Sequence, residues 1–446
     1  MFGYHLKLAL RSLRRNVVIT VLMVAAVAVG IGASMTVYTV VRSMSGDPIP
    51  QKSDQLFAPQ IDAWGPPSLR GGPPQGNSYQ LPDQLTYRDA MALMIAGRAP
   101  RQAVMYAISQ DVSPVGGRAF RAGGRATSGD FFAMFDVPFR SGAVWDPSAE
   151  EKRENVVVLS AALADRVFPH ADALGKVITL SDHDYRIVGV SQNWAPMPRF
   201  YDLESGGYNG AEQFFMPFTT AIDRHITSVG AENCQGVPQG GWDAHLASDD
   251  CLWVHYWAEL PTPAQSQAFK VFLGNYAAEQ RQLGRFHWPA RAESRNVVEL
   301  LAYVGVVPPA IRMIGFVADG FLIVCLVNAV GLLLAKFSSR AMELALRRAL
   351  GASRGEIFRQ CVTETVLIGL LGGMFGLALT ALGLAGLRGM LAVAARQGVA
   401  VSRLASLSAD TVLITLIVAI VVTACAGLYP IWRATRVQPA WQLKAL

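Results

Sequence analysis

The sequence predicts an integral membrane protein: an α-helical domain of four spans, with one large α+β extracytoplasmic domain inserted between spans one and two. Three observations lead there. Of the 446 residues, 52% are hydrophobic and only 16% charged, too apolar for a water-soluble chain of this size. The apolar residues gather at the start and in the last third, and basic residues border each run. The stretch between them carries its own β-branched runs, polar turns and helical periodicity.

At the start, residues 1–15 form a basic segment in which Leu6, Ala9, Leu10 and Leu13 recur at helical spacing while Lys7, Arg11, Arg14 and Arg15 face away. Such a helix lies along a membrane surface. Span one (16–42) follows, with no charged residue between Arg15 and Arg42. Its apolar run exceeds both the roughly 20 residues a helix needs to cross and the about 7–15 of a signal peptide, so it reads as an uncleaved span.

Residues 43–308 are long enough for a core of their own. Asn155 to Leu159 is a β-branched run, Ala161 to Phe168 is helix-like, and Lys176 to Leu180 and Tyr185 to Val190 alternate around the polar turn Ser181 to Asp184. This is a helix beside a hairpin. Ala264 to Leu283 reads as a helix with Phe269, Phe272, Tyr276 and Ala277 on one side, capped by Thr262 and Pro263. Ala58 to Tyr79, rich in Pro and Gly, is expected to be irregular. The seven His residues show no paired metal spacing, no nucleophile elbow is present, and the lone acidic residues read as a solvated surface. Cys234 and Cys251 are an even pair able to close a disulfide in an oxidising compartment.

Spans two (309–336), three (358–388) and four (411–432) occupy the last third, with a loop at 337–357, a short loop at 389–410 and a tail at 433–446. Asp319 and Glu364 are the acidic residues within these spans, and sliding either helix by a turn places them at an interface. Gly369, Gly372, Gly373 and Gly376 in span three permit close helix approach, and Asn328 in span two can bond across helices. Packing within one subunit and contact with a second copy both satisfy this pattern. Lys and Arg concentrate before span one, between spans two and three, and after span four, which places both termini in the cytoplasm and the inserted domain outside. The formal charge of +6 is juxtamembrane and points to lipid, not nucleic acid.

In the loop, Met342, Leu346, Ala349 and Leu350 form one apolar stripe, Glu343 and Arg347 make an i,i+4 pair, and Gly351 supplies a left-handed stop. Ser353 and Glu356 then form a capping box that opens the next helix. A basic amphipathic helix here serves lipid contact or the docking of a cytoplasmic partner.

The loop and its flanks resemble the module of MacB/FtsX-type ABC transporter permeases: Asn328 to Ala335, Glu343 to Ser353 (ELALRRALGAS), Thr363-Glu364 and Leu370 to Gly373. In the inserted domain, Ser128 to Phe132, Val156 to Ser160, Phe168 to Lys176, Val188 to Val190 and Phe215 to Phe218 resemble that family's periplasmic core domain, and Tyr429 to Ala440 its end motif. The Pro/Gly-rich stretch before Tyr79 and residues 221–252 match nothing in it.

The resemblance implies a non-catalytic permease subunit in a bacterial inner membrane, its large domain periplasmic, paired with a second permease copy or paralogue. A dimer of ATPase subunits consumes the ATP and Mg, the permease itself holding no cofactor. Because no G-x-x-x-x-G-K-[ST] loop occurs, the ATPase is expected on a separate polypeptide. The resemblance makes Met342, Glu343, Leu346, Arg347, Arg348, Leu350, Gly351, Ala352 and Ser353 the helix that couples to the ATPase. It also divides the outer domain into a membrane-near subdomain (about 45–125 and 253–305) and an outer subdomain (about 126–252). The work implied is mechanotransmission, for export of a drug, peptide, siderophore or lipid together with a periplasmic adaptor and outer-membrane channel. The alternatives are an FtsX-like transmitter that activates a periplasmic enzyme, and lipoprotein extraction.

Overall fold

The structure, a computed structural model, describes residues 9, 11–64, 80–114, 117–169, 171–205, 207–208, 210–236, 238–286, 288–289, 291–307, 309–394 and 409–435. The chain forms two compact units, one of residues 1–44 with 307–446, the other of residues 45–306. Leu6, Lys7 and Leu10 of the basic N-terminal segment, most of the 389–410 loop and most of the C-terminal tail lie outside the described residues.

The first unit is helical. Among the described residues, four helices are long and apolar enough to cross a membrane: Val17–Ser45, Pro309–Ser339, Arg354–Ala394 and Ala409–Thr435. Small residues set which helices meet, since a side chain at these glycines would collide with a neighbour. A Cβ on Gly372 would come within 2.5 Å of Val27 Cγ1, and one on Gly376 within 3.1 Å of Ile31. These bring span three against span one. Gly373 approaches Ala419 in the same way, and Gly369 approaches Thr423, so its other side meets span four. Gly30 of span one lies against Cys325 of span two. Asn328 is exposed on the surface of its helix, and Asp319, also exposed, accepts a hydrogen bond from Ser34 at 2.9 Å.

The second unit is built on a sheet of ten strands. They are β1 (Leu56–Ile61), β2 (Arg101–Ser113), β3 (Phe120–Thr127), β4 (Phe139–Gly142), β5 (Val156–Ser160), β6 (Val177–Leu180), β7 (His183–Ser191), β8 (Phe214–Pro217), β11 (His255–Glu259) and β12 (Ala292–Asn296). Their order is β12-β1-β11-β2-β3-β8-β5-β7-β4, with β6 pairing β2 and β7. The two short strands β9 (Asn233–Cys234) and β10 (Cys251–Leu252) pair with each other.

Strand alternation divides the interior into two cores. Val104, Tyr106 and Ile108 of β2 join one with Phe269 and Leu273 of helix Pro263–Gln282, whereas Ala103 and Met105 join the other with Phe131, Phe135, Phe200 and Trp257. Ser160 ends β5 and caps helix Ala161–Val167 by accepting the Leu163 N–H, and the chain returns through β6 to β7, which lies parallel to β5. Thr262 and Gln265 cap helix Pro263–Gln282 reciprocally.

The expectation that residues 58–79 are irregular fails at its start. Ala58–Ile61 belong to the buried strand β1, which pairs with β12 along its length. Pro59 is tolerated because β11 pairs with β1 only at Leu56 and Phe57, leaving a single partner strand at the proline. Residues 65–79 lie outside the described residues.

Candidate functional site

The helix Ala341–Ala349 lies between spans two and three and ends as its sequence requires. Gly351 takes φ +99°, a conformation costly for any residue with a Cβ, and the Gly351 and Ala352 N–H groups close back on Arg348 and Arg347. Ser353 N–H donates to Glu356 at 3.1 Å and Glu356 N–H to Ser353 Oγ at 3.2 Å, opening the next helix. Met342 (44%), Leu346 (55%) and Leu350 (81%) are exposed while Ala345 (1%) is buried. The apolar stripe therefore points away from the unit, as a docking surface requires.

Polar and charged contacts hold the neighbouring face of this helix to the unit. Arg347 donates to Glu343 at 2.8 Å and to Gln360 at 3.1 Å, and Arg340 and Arg15 each approach Glu343 at 3.4 Å. Burial alone would raise the Glu343 carboxyl, but the Arg340 hydrogen bond and the charges of Arg340, Arg347 and Arg15 bring it below its ordinary value. Arg340 also bonds Ser12 and reaches Glu364 at 3.4 Å.

Glu364, expected near an interface, is enclosed by side chains of its own unit. Its carboxylate is 1% exposed, bonded to Ser12 and 2.5 Å from Lys336 Nζ, itself 0% exposed. The Lys336 ammonium meets it off the hydrogen-bonding direction. One signal was available in the sequence: Lys336 and Arg340 stand four apart, on one face of the end of span two, where they can share a single acid.

The sheet unit holds a second charged assembly. Arg125 of β3, fully buried, donates from Nε to Glu212 at 2.8 Å and from Nη2 to Asp202 at 2.7 Å. Arg199 lies 3.2 Å from Glu212, His255 Nε2 lies 3.1 Å from Asp202, and Ser205 N–H donates to Asp202 at 3.0 Å. Tyr201 stacks under the Arg125 guanidinium, 4.8 Å from its ring centre. Burial pushes the Asp202 carboxyl up, yet Arg125 and His255 outweigh it and hold the group well below the usual range. Burial would lower His255, but Asp202 and Asp83 raise it on balance. Asp83 is pushed by burial up to about 7, against the pull of His255 and with Glu204 and Asp202 adding to the rise. Among the described residues, Asp83 Oδ1 and Arg125 Nη1 are buried without a hydrogen-bond partner.

The expectation that the acidic residues form a solvated surface is therefore corrected for Asp83, Asp89, Asp202, Glu212 and Glu259, all buried. Asp89 shows the same logic, accepting from Tyr276 at 2.6 Å and Arg285 at 2.9 Å. These partners come from segments far apart in the chain, so local spacing carries no trace of them.

Cys234 and Cys251 are joined in a disulfide across the β9–β10 pair. With Glu232 they make one group within 4.8 Å that has metal-ligand types, but the two sulfurs are bonded to each other and so are not thiolate ligands.

Known proteins share this organisation. The family model described as "MacB-like periplasmic core domain" matches residues 20–247, just over half of the chain. The model described as "FtsX-like permease C-terminal" matches residues 315–439. The macrolide export ATP-binding/permease protein MacB of Azoarcus sp. is 22% identical over 377 residues, 83% of this chain and 50% of that protein. The Escherichia coli protein of the same name is 22% identical over 387 residues, 85% of this chain and 52% of that one. The chain thus spans about half the length of the curated relatives it matches.

Among solved structures, the periplasmic region of MacB from Actinobacillus actinomycetemcomitans aligns at TM-score 0.35 and 12% identity, covering 59% of this chain and 95% of that one. A domain of a permease protein from Porphyromonas gingivalis aligns at TM-score 0.34 and 12% identity, covering 55% and 91%. From the two sequence models, and from four apolar helices that carry an α+β domain between the first and second, the chain belongs to the family of MacB/FtsX-like ABC transporter permeases.

Proposed function

We propose that this chain is the transmembrane subunit of an export machine that turns ATP hydrolysis by a partner into movement of its outer domain. The observation that carries the reading is the exposed Met342–Leu346–Leu350 stripe on a short helix whose neighbouring face is held to the unit through Arg347–Gln360 and Arg15–Glu343. A helix facing lipid alone needs no such restraint, whereas one that receives a push does. The distribution of Lys and Arg puts this helix and both termini in the cytoplasm and the sheet domain in the periplasm. ATP and Mg belong to the ATPase subunits that the helix contacts. A second permease copy completes the machine, with a periplasmic adaptor and outer-membrane channel receiving the cargo.

The MacB relatives are named for macrolide export, and that supports export as the class of work. By this reading the cargo is a drug, peptide, siderophore or lipid that the outer domain moves without passing it between the spans. The test is co-expression with an ATPase encoded beside this gene. Wild type is expected to copurify with it and to change its ATP turnover, and Arg347→Glu combined with Leu346→Asp is expected to abolish both. Unchanged copurification and turnover in that variant would remove the helix from the interface.

A further inference from the structure

Glu364 receives contacts from three segments around the docking helix. Ser12 reaches it from the segment before span one, Lys336 at 2.5 Å from span two, and Arg340 at 3.4 Å from the turn that leads into the helix. Arg340 passes the link on to Glu343, and Glu343 to Arg347 and Arg15. One carboxylate inside span three is thus connected to the docking helix, to span two and to the segment preceding span one.

Stability alone does not explain the arrangement. Lys336 and Glu364 are both withdrawn from solvent, at 0% and 1% exposure, and a desolvated pair of this kind is commonly no better than apolar residues of the same volume. What an ion pair supplies and apolar packing does not is direction: the charges hold one relative placement of the elements and resist sliding.

We propose that Glu364 is a positioning residue, a buried pin through which displacement of the Ala341–Ala349 helix reaches spans two and three. Without it the helix itself persists, because the Glu343–Arg347 pair, the Gly351 stop and the Ser353–Glu356 box are all independent of Glu364. The push is then absorbed locally.

This inference rests on the ATP-driven reading above, and its test keeps the two apart. The full chain, with the ATPase encoded beside it, is reconstituted in lipid discs, and hydrogen exchange of residues 45–306 is followed with and without MgATP. Wild type is expected to respond to MgATP; its failure to do so counts against the ATP-driven reading and leaves the pin with nothing to transmit. Glu364→Gln is expected to keep ATPase binding and turnover while losing the response. Because that variant strands Lys336, the double variant Lys336→Met/Glu364→Met is compared, in which packing replaces the pair. It too is expected to fold, bind and hydrolyse ATP without an outer-domain response. A folded double variant with a wild-type response would overturn the proposal, and so would one that loses ATPase binding, since Glu364 would then shape the docking surface instead of transmitting from it.

Discussion

Replacing Arg125 by methionine tests the buried charge assembly of the outer unit. The substitution keeps most of the side-chain volume and removes the one cation that bonds both Asp202 and Glu212. Breaking a buried pair by deleting one partner costs about 3–5 kcal/mol, because the remaining charge is stranded. Here neither acid is wholly abandoned: Glu212 keeps Arg199 at 3.2 Å and Asp202 keeps His255 at 3.1 Å. The loss therefore belongs at the lower end, roughly 3 kcal/mol, or about 6–12 °C in Tm for a domain of this size.

The assay is urea and thermal unfolding of residues 45–306, followed by tryptophan fluorescence. Trp257 lies in the same core as the assembly's Tyr201 and reports its loss. A quintuple variant, Arg125→Met/Arg199→Met/Asp202→Leu/Glu212→Leu/His255→Leu, removes the charges together, so that Arg199 and His255 are not stranded in turn, and is expected to recover most of the stability. Two results would refute the reasoning: a loss below about 1 kcal/mol for Arg125→Met, which would mean the site is hydrated, or a quintuple variant no better than the single one.

Further outcomes follow from the same contacts. Asp83 and His255 both titrate above their ordinary values. The folded domain retains protons that the unfolded chain releases, so stability falls as pH rises from about 4 toward 7 through Asp83, and again above about 6.5 through His255. Asp83→Asn should flatten the lower part of that slope in pH-dependent urea midpoints, and an unchanged slope would show that Asp83 is ionised in the fold. The Cys234–Cys251 bond closes a separation of 17 residues; replacing both cysteines by serine should cost about 3 kcal/mol, read as a Tm no longer sensitive to reductant. Gly372→Leu has no room against Val27 and should destabilise the helical unit by about 1–3 kcal/mol, seen as a lower melting temperature in detergent, whereas Gly331→Leu, where a Cβ would meet no neighbour within 4 Å, should not.

The helical unit was largely legible in the sequence because its cause is one-dimensional. A run such as Val17 to Val41 must satisfy every backbone group internally wherever water is absent, and only a helix does so within one segment. The short helix Ala341–Ala349 was legible for a related reason: its Glu343–Arg347 pair joins residues four apart, and the Ser353–Glu356 box that opens the next helix joins residues three apart. The β6–β7 hairpin and the helix after β5 were read from alternation and helical periodicity, again local signals.

What the sequence did not disclose is what meets at long range. The enclosure of Glu364 was not visible because its cations lie elsewhere, Lys336 on span two and Arg340 in the turn after it, and Asp202 looked solvated because Arg125 and His255 lie on β3 and β11, 77 residues away in the case of Arg125. Composition and periodicity alone determined the four spans, the inserted α+β domain and the apolar stripe of Met342, Leu346 and Leu350, whose exposure the structure supplied. Only the tertiary structure decided which charges are buried together, because the cost of desolvating a carboxylate depends on what surrounds it in space and on nothing in its local sequence.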